Sequence, residues 1–143
     1  MVRSKQRYVV ARVDWGSQGR LVDPSLGASH FVSALKELLA VHFGDLGVAV
    51  SLQSLAVKYW NSLTGVLLVR IERASHRLLL IALACTQTLK IKGEQRSCRM
   101  LVLHVGGTIR SCKQKLIEKR TKGLSDDQGI DSLLEALDSM EGI

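Results

Sequence analysis

The sequence predicts an α+β fold: a ferredoxin-like (RRM-like) βαββαβ sandwich with helices on one face of an antiparallel sheet and an extra C-terminal helix. Two observations predict it. Segments of strand-type alternation and segments of helical apolar period follow one another in that order. The 143 residues suffice for one domain with a modest core, and 46% hydrophobic residues with a single proline exclude a disordered chain.

The first strand and the first helix are separated by a change of apolar period. Residues 8–15 alternate, which predicts a strand with one buried face. Ser29 is placed to cap a helix that runs to about Phe43, in which apolar side chains recur every three or four residues. Gly44 and Gly47 then predict the end of this helix.

A hairpin is predicted next. Residues 55–60 and 66–73 are two short runs of strand type, and the turn-forming residues 61–65 join them. Strict alternation would give each strand one apolar face. These faces comprise Leu55, Val57 and Tyr59 on the first strand, and Leu67, Val69 and Ile71 on the second.

The second helix is unusual because it is apolar around most of its circumference. Ser75 is placed to cap it, it extends to about Lys90, and residues 91–98 follow as a polar loop. A surface helix on a small sheet should keep one polar side. Either other elements of this chain cover the helix, or one of its faces is an interface with a partner.

The last strand and helix meet at a double glycine. Residues 99–105 predict a strand, Gly106 and Gly107 a tight turn, and Thr108 the cap of a basic helix that runs to about residue 122. A helix start offers free N–H groups and a positive dipole, which suits an anion such as phosphate. The plainer interpretation is that the glycines serve only the turn.

The charge divides the chain into two parts. Residues 1–123 form a basic sandwich domain with all 20 Lys and Arg against 7 acids, whereas residues 124–143 carry 6 acids and no Lys or Arg. A domain this basic is expected to meet a polyanion. The acidic tail has an amphipathic helical pattern over residues 129–143. It could pack on its own domain, dock a partner, or cover the basic surface.

Catalysis by the protein itself is not indicated. Cys112 and His104 could suggest a thiol–imidazole pair, but Cys112 falls on an apolar helical stripe and no group is evidently placed to orient the histidine. The four histidines lack metal-ligand spacing, the acids form no paired-carboxylate motif, and no Walker A sequence is present. We therefore expect no catalytic residues and no metal site in the protein.

The compartment and the membrane can be judged from the same sequence. Three cysteines without a C-x-x-C pair fit a reducing compartment. No signal peptide is visible, and the most apolar run, residues 78–85, is far too short to span a bilayer. We expect no membrane association.

RNA is the polyanion that the predicted strand order favours. The RNA recognition motif stacks bases on aromatic residues of its sheet, but here the corresponding strand reads TGVLLVRIER and has no aromatic residue. Stacking over a broad sheet surface is therefore not expected. Cations instead dominate the N-terminal arm, the polar strand positions and the last helix, and such residues contact phosphates without reading sequence. For any single one of them a solvated surface charge is the better interpretation, whereas the whole set favours RNA binding.

Three segments resemble the Pop-five family, a small protein subunit of ribonuclease P and ribonuclease MRP. Residues 1–8, MVRSKQRY, are similar to that family's M-V-R-x-K-x-R-Y opening. Residues 58–73, KYWNSLTGVLLVRIER, resemble its K-Y-x-N-x-x-T-G hairpin with a following arginine, and residues 104–112, HVGGTIRSC, resemble its glycine turn. The segments keep the family's order and spacing, so that the resemblance covers roughly residues 1–122.

The resemblance implies a non-catalytic subunit that braces the catalytic RNA while the particle removes 5′ leaders from precursor tRNA. It implies Mg²⁺ on that RNA, a TIM-barrel-like protein partner among other subunits, and a nuclear and nucleolar location. The alternative is a stand-alone ferredoxin-like RNA-binding protein. Taken with the charge pattern, the candidate RNA-binding residues are Arg3, Lys5, Arg7, Tyr8, Arg12, Lys58, Tyr59, Arg70, Arg73, Gly106, Gly107, Arg110 and Lys113.

Overall fold

The computed structural model describes residues 5–15, 25–62, 65–121 and 133–139. Its strands are β1 (Gln6–Asp14), β2 (Ala56–Asn61), β3 (Val66–Glu72), β4 (Thr88–Ile91), β5 (Glu94–Ser97) and β6 (Arg99–Gly106). Its helices are α1 (Ala28–Ser54), α2 (His76–Ala84) and α3 (Ile109–Thr121). Residues 133–139 form a further helical segment. None of the helices in these ranges is long and apolar enough to cross a membrane.

The main sheet has the strand order β2-β3-β1-β6, and every neighbouring pair is antiparallel. When β4 and β5 are set aside as a separate two-stranded ribbon, the remaining strands follow the order that the βαββαβ pattern requires. The predicted ferredoxin-like sandwich is therefore confirmed. In this topology β1 is a central strand, and its neighbour β6 is an edge strand.

The larger core lies between the sheet and the two helices α1 and α2. The stripe predicted for α1 is confirmed, because Phe31, Leu35 and Leu39 are fully buried there. Leu79 and Leu83 of α2 are fully buried in the same core. The apolar character of α2 is thus explained mainly by coverage within this chain.

The opposite face of the sheet is buried too, which corrects the expectation of helices on one face only. Val10 of β1 and Leu68 of β3 are fully buried on that side, together with Leu116 of α3. The helical segment at residues 133–139 completes this second core through Leu133 and Leu137. β1 therefore has two buried faces, because α3 and the C-terminal segment fold back over the sheet.

The faces of β2 also differ from strict alternation. The register of β2 against β3 shifts between Val57 and Tyr59, which places a bulge at Lys58. An extra residue reverses the alternation beyond it. Val57 consequently packs against the larger core, whereas Tyr59 packs against the second core, so the predicted shared face of these two residues is wrong.

The first helix begins earlier and ends later than predicted. Its N-cap is Gly27 rather than Ser29, and the Gly27 N–H donates to Nδ1 of His30 over 3.0 Å. Gly44 breaks it, with φ of 59°, but residues beyond the break turn back into helix. Gly47 lies within the helix beyond the break, and only glycine fits there because a Cβ would lie 2.0 Å from the carbonyl oxygen of Leu39.

The predicted polar loop after α2 is instead the β4–β5 hairpin, and α2 is correspondingly shorter. Lys92 (φ 54°) and Gly93 (φ 78°) form the two positive-φ positions that a tight type I′ hairpin turn requires. Leu89 and Ile91 are buried in the larger core. Alternate residues of β4 thus anchor the ribbon, while Lys90 between them is exposed.

Candidate RNA interface

The double glycine lies at the turn between β6 and α3, as predicted. Thr108 caps the helix, because its Oγ1 accepts the Ser111 N–H over 3.0 Å. A Cβ at Gly106 would lie 2.6 Å from Sγ of Cys112, so the close packing of α3 on the strand requires glycine. A Cβ at Gly107 would meet only the side chain of Arg7, whose Nη1 would lie 2.9 Å away. The turn therefore brings the Arg7 guanidinium to the N-terminal end of α3.

Gly106→Ala is expected to destabilise the protein by about 1–3 kcal/mol, because the new methyl overlaps a fully buried sulfur atom. Gly107→Ala is the matched control, since the flexible Arg7 side chain can move aside. Thermal unfolding of both variants measures the difference. Adding Cys112→Ala to Gly106→Ala should recover part of the loss, and equal melting temperatures for the two single variants would contradict the packing argument.

Several predicted RNA-binding cations converge at the same end of the sheet. The Arg73 N–H donates to the Lys5 carbonyl oxygen over 2.8 Å, so the arm and the end of β3 meet there. Arg70 pairs in register with Tyr8, the residue that also pairs with Gly106. Backbone pairing thus places cations from four segments of the chain at one end of the sheet, which we call the basic end. It consists of Lys5, Arg7, Arg70, Arg73 and Arg110.

Other predicted contacts lie elsewhere. Arg12 is at the opposite end of β1, paired in register with Val66 and Leu101, and is half-buried beside the second core. Lys58 is exposed on the bulge of β2. Lys113 lies one turn into α3 and forms an ion pair with Asp138. Arg3 lies outside the described residues.

The two tyrosines are packed rather than displayed on an open sheet. Tyr8 and Tyr59 are half-buried against the second core. Nδ2 of Asn61 donates a hydrogen bond to the Tyr59 hydroxyl over 3.1 Å. Because α3 and residues 133–139 occupy this face, the central sheet surface that an RNA recognition motif uses for stacking is covered by the chain itself.

Cys112 and His104 come closer together than the sequence indicated, since both flank Gly106. The point where a Cβ of Gly106 would lie is 2.6 Å from Sγ of Cys112 and 3.1 Å from Nε2 of His104. Burial raises the pKa of the Cys112 thiol to about 11, against a smaller opposing effect of a backbone hydrogen bond at Gly106. The thiol is therefore neutral at physiological pH and a poor nucleophile.

The reactivity of the three thiols tests whether Cys112 is buried and unreactive. Burial also raises the pKa of Cys98 to about 11, whereas Cys85 is exposed. At pH 8 we expect iodoacetamide to label Cys85 readily and the other two only on unfolding, as read by mass spectrometry. Rapid labelling of Cys112 in the folded protein would contradict its burial.

The two raised cysteine pKa values contribute to the free energy of unfolding below about pH 9, and this contribution is lost as pH rises from 9 to 11.

Sequence reasoning missed the cations of the β4–β5 hairpin. Lys90 is exposed on β4, and Lys92 sits at the turn, where its Nζ donates to Oγ of Ser25. The Lys-Gly dipeptide at 92–93 was the available signal for a turn. No group of three His, Cys, Asp or Glu side chains within the described ranges could hold a metal ion.

These elements define a class: a small basic α+β protein with a ferredoxin-like sheet, covered on both faces by its own helices, and with cations gathered at one end. A family model narrows this class. The Rpp14/Pop5 family model matches residues 7–117, most of the chain, so the chain belongs to the Rpp14/Pop5 family. The resemblance inferred from the three sequence segments is thereby confirmed.

Relatives from distant eukaryotes agree. The protein named ribonuclease P/MRP protein subunit POP5 from Bos taurus is 35% identical over 127 residues, covering 87% of this chain and 72% of the relative. Its Homo sapiens counterpart is 34% identical over 125 residues, with 87% and 75% covered. The Schizosaccharomyces pombe protein of the same name is 27% identical over 142 residues, with 94% and 99% covered.

The fold is also similar to that of a chain in a solved structure. A chain in the cryo-EM structure of yeast ribonuclease MRP superposes with a TM-score of 0.57 at 9% identity, covering 86% of this chain and 96% of that one. At this identity the similarity concerns the fold alone.

Proposed function

We propose that this chain is the Pop5-type protein subunit of the ribonuclease P and ribonuclease MRP ribonucleoproteins, bracing the catalytic RNA for removal of 5′ leaders from precursor tRNA. The observation that carries the proposal is the family match over residues 7–117, which spans nearly all of β1 through α3 and all of the basic end except Lys5. A stand-alone RNA-binding protein is not favoured, because the relatives are named as protein subunits of ribonuclease P/MRP.

The chemistry of the basic end fits a bracing role. Arginine guanidiniums stay protonated at all physiological pH values, so they hold phosphate oxygens but do not transfer protons. The first turn of α3 adds backbone N–H groups that have no partner within the helix. Such a surface positions an RNA backbone and leaves phosphodiester hydrolysis to the RNA and its own Mg²⁺.

Partners and compartment follow from the same proposal. The chain contacts the catalytic RNA, precursor tRNA held on it, and other protein subunits, among them a TIM-barrel-like one. It works in the nucleus and the nucleolus, where the two particles process tRNA and rRNA precursors. The apolar side chains that α1 leaves exposed, Val41 and Leu52 at 74% and 71%, are available for a protein contact.

The proposal is tested by affinity purification of the tagged chain from cells, followed by sequencing of the bound RNA. We expect the RNAs of both particles together with several basic proteins. Recovery of the chain as a free monomer without a large RNA would contradict the proposal and favour the stand-alone alternative.

A second test asks where the reaction takes place. In particles reconstituted with Cys112→Ala or His104→Ala, single-turnover cleavage of precursor tRNA should stay within a few-fold of normal. A melting control separates any stability loss, about 1–3 kcal/mol for a buried side chain, from a loss of chemistry. Abolished cleavage by a stably folded, assembled Cys112→Ala particle would give the protein a catalytic role and overturn this part of the proposal.

A further inference from the structure

The acidic C-terminal helical segment lies on the basic helix α3. Asp138 forms an ion pair with Lys113, and the two side chains are 58% and 27% exposed. Lys113 is one of the candidate RNA contacts. A carboxylate of the same chain thus already occupies the position that a phosphate oxygen would take on this ammonium group.

Apolar packing fixes the segment in that position. Leu133 and Leu137 are fully buried and contact the second core formed by Val10, Leu68 and Leu116. Asp138 directly follows one of these anchors, so its carboxylate is held near α3 rather than tethered loosely. An intramolecular partner of this kind has a high effective concentration and competes strongly with a ligand from solution.

The charge around the pair strengthens the competition. Residues 124–143 contain 6 acidic residues and no Lys or Arg, whereas the preceding 123 residues carry every Lys and Arg of the chain. Within residues 133–139, the exposed Glu135 and Asp138 are the carboxylates that a phosphate meets when it approaches α3 from the side of this segment. Arg110 of the basic end and Lys113 line one cavity on α3, so RNA held at the basic end lies beside the ion pair.

We propose that the acidic C-terminal segment is an intramolecular competitor of RNA phosphate at Lys113. It suppresses binding of arbitrary RNA along α3, and RNA whose backbone is already held at the basic end displaces Asp138. The inference rests on the proposed function in one respect, namely that the α3 side of the molecule meets RNA. It assigns to the tail a role in the selectivity of that contact.

A double-mutant cycle on the full chain tests the competition. The variants are Asp138→Asn, Lys113→Gln and their combination, and the probe is a uridine oligomer of fixed length. All three variants keep Leu133 and Leu137, which hold the segment on the second core, and thermal melts verify that the fold is intact. Asp45→Asn is the matched control, because Asp45 is an exposed aspartate on α1, across the sheet from α3.

The expected result is a gain that depends on Lys113. Asp138→Asn should tighten binding about fivefold at roughly 0.1 M salt and steepen the salt slope by about 0.7, the share of one phosphate contact on a single strand. Asp45→Asn should change affinity less than about twofold, because distant exposed charges are screened. With Lys113→Gln present, Asp138→Asn should have no further effect.

Two outcomes would overturn the inference. Equal gains from Asp138→Asn and Asp45→Asn, or an undiminished gain without Lys113, would reduce the tail to diffuse charge. A change confined to recovery of a protein subunit, with RNA affinity unaltered, would make the segment a protein-docking element. A different experiment detects failure of the proposed function. In that case the unmodified chain would recover no particle RNA on purification from cells, whatever the result of the double-mutant cycle.

Discussion

Leu79→Glu is expected to abolish the cooperative unfolding transition of the isolated chain. Leu79 is fully buried between α2 and the sheet, and an unpaired carboxylate there loses its hydration without gaining a partner. The penalty is at least about 4 kcal/mol, which is comparable to the whole stability of a typical domain. Leu83→Glu should behave in the same way, because Leu83 is equally buried.

The control lies on the same helix. Ile81 is 52% exposed, so Ile81→Glu should keep the fold and change the free energy of unfolding by no more than about 0.5 kcal/mol. Urea denaturation followed by circular dichroism compares the three variants. A soluble, cooperatively folding Leu79→Glu chain would mean that this side chain does not belong to the core.

The difference between the buried and exposed positions of α2 decides whether its apolar residues are covered by this chain or form an interface with a partner. Leu79 and Leu83 face the chain's own core, so substitutions there report on folding and cannot probe a partner interface. Exposed apolar side chains remain at Ile81 and, on α1, at Val41 and Leu52. Substitutions at these positions are the ones that can test for a protein contact.

Much of the fold could be predicted from the sequence because it depends on residues that are close together in the chain. The order of elements followed from the switch between periods of two and about 3.6, and the Thr108 cap followed from its position before a helical stripe. The hairpin at residues 61–65 followed from its turn residues, and the Gly65 N–H indeed donates to the Asn61 carbonyl oxygen. Each of these features depends on a few neighbouring residues.

The features that were missed depend on distant parts of the chain. The second core joins β1 and β3 to residues 133–139, and only the uninterrupted apolar run Val66–Val69 signalled a strand buried on both faces. The bulge at Lys58 has no sequence signal that we can identify. The basic end could not be assembled beforehand either, because strand register decides that Arg70 lies beside Tyr8 while Arg12 lies at the other end of β1.

Reversing two charges at the basic end should cause the largest functional loss. Arg7 and Arg73 flank the sheet end at the glycine turn, and each phosphate contact on RNA is worth about fivefold in affinity at roughly 0.1 M salt. Arg7→Glu combined with Arg73→Glu removes two contacts and adds two repulsive charges. Affinity for the particle RNA should therefore fall about thirtyfold or more, and the salt slope should become shallower by about 1.4.

A matched double variant separates position from net charge. Lys90→Glu with Arg99→Glu makes the same change in net charge at two exposed cations, one on β4 and one at the start of β6, the end of that strand opposite the glycine turn. Filter binding over a salt series, with melting curves as the folding control, measures both. If the proteins lose affinity equally, RNA responds only to the overall charge of the domain. A loss confined to Arg7 and Arg73 would require a defined phosphate-binding surface at the end of the sheet.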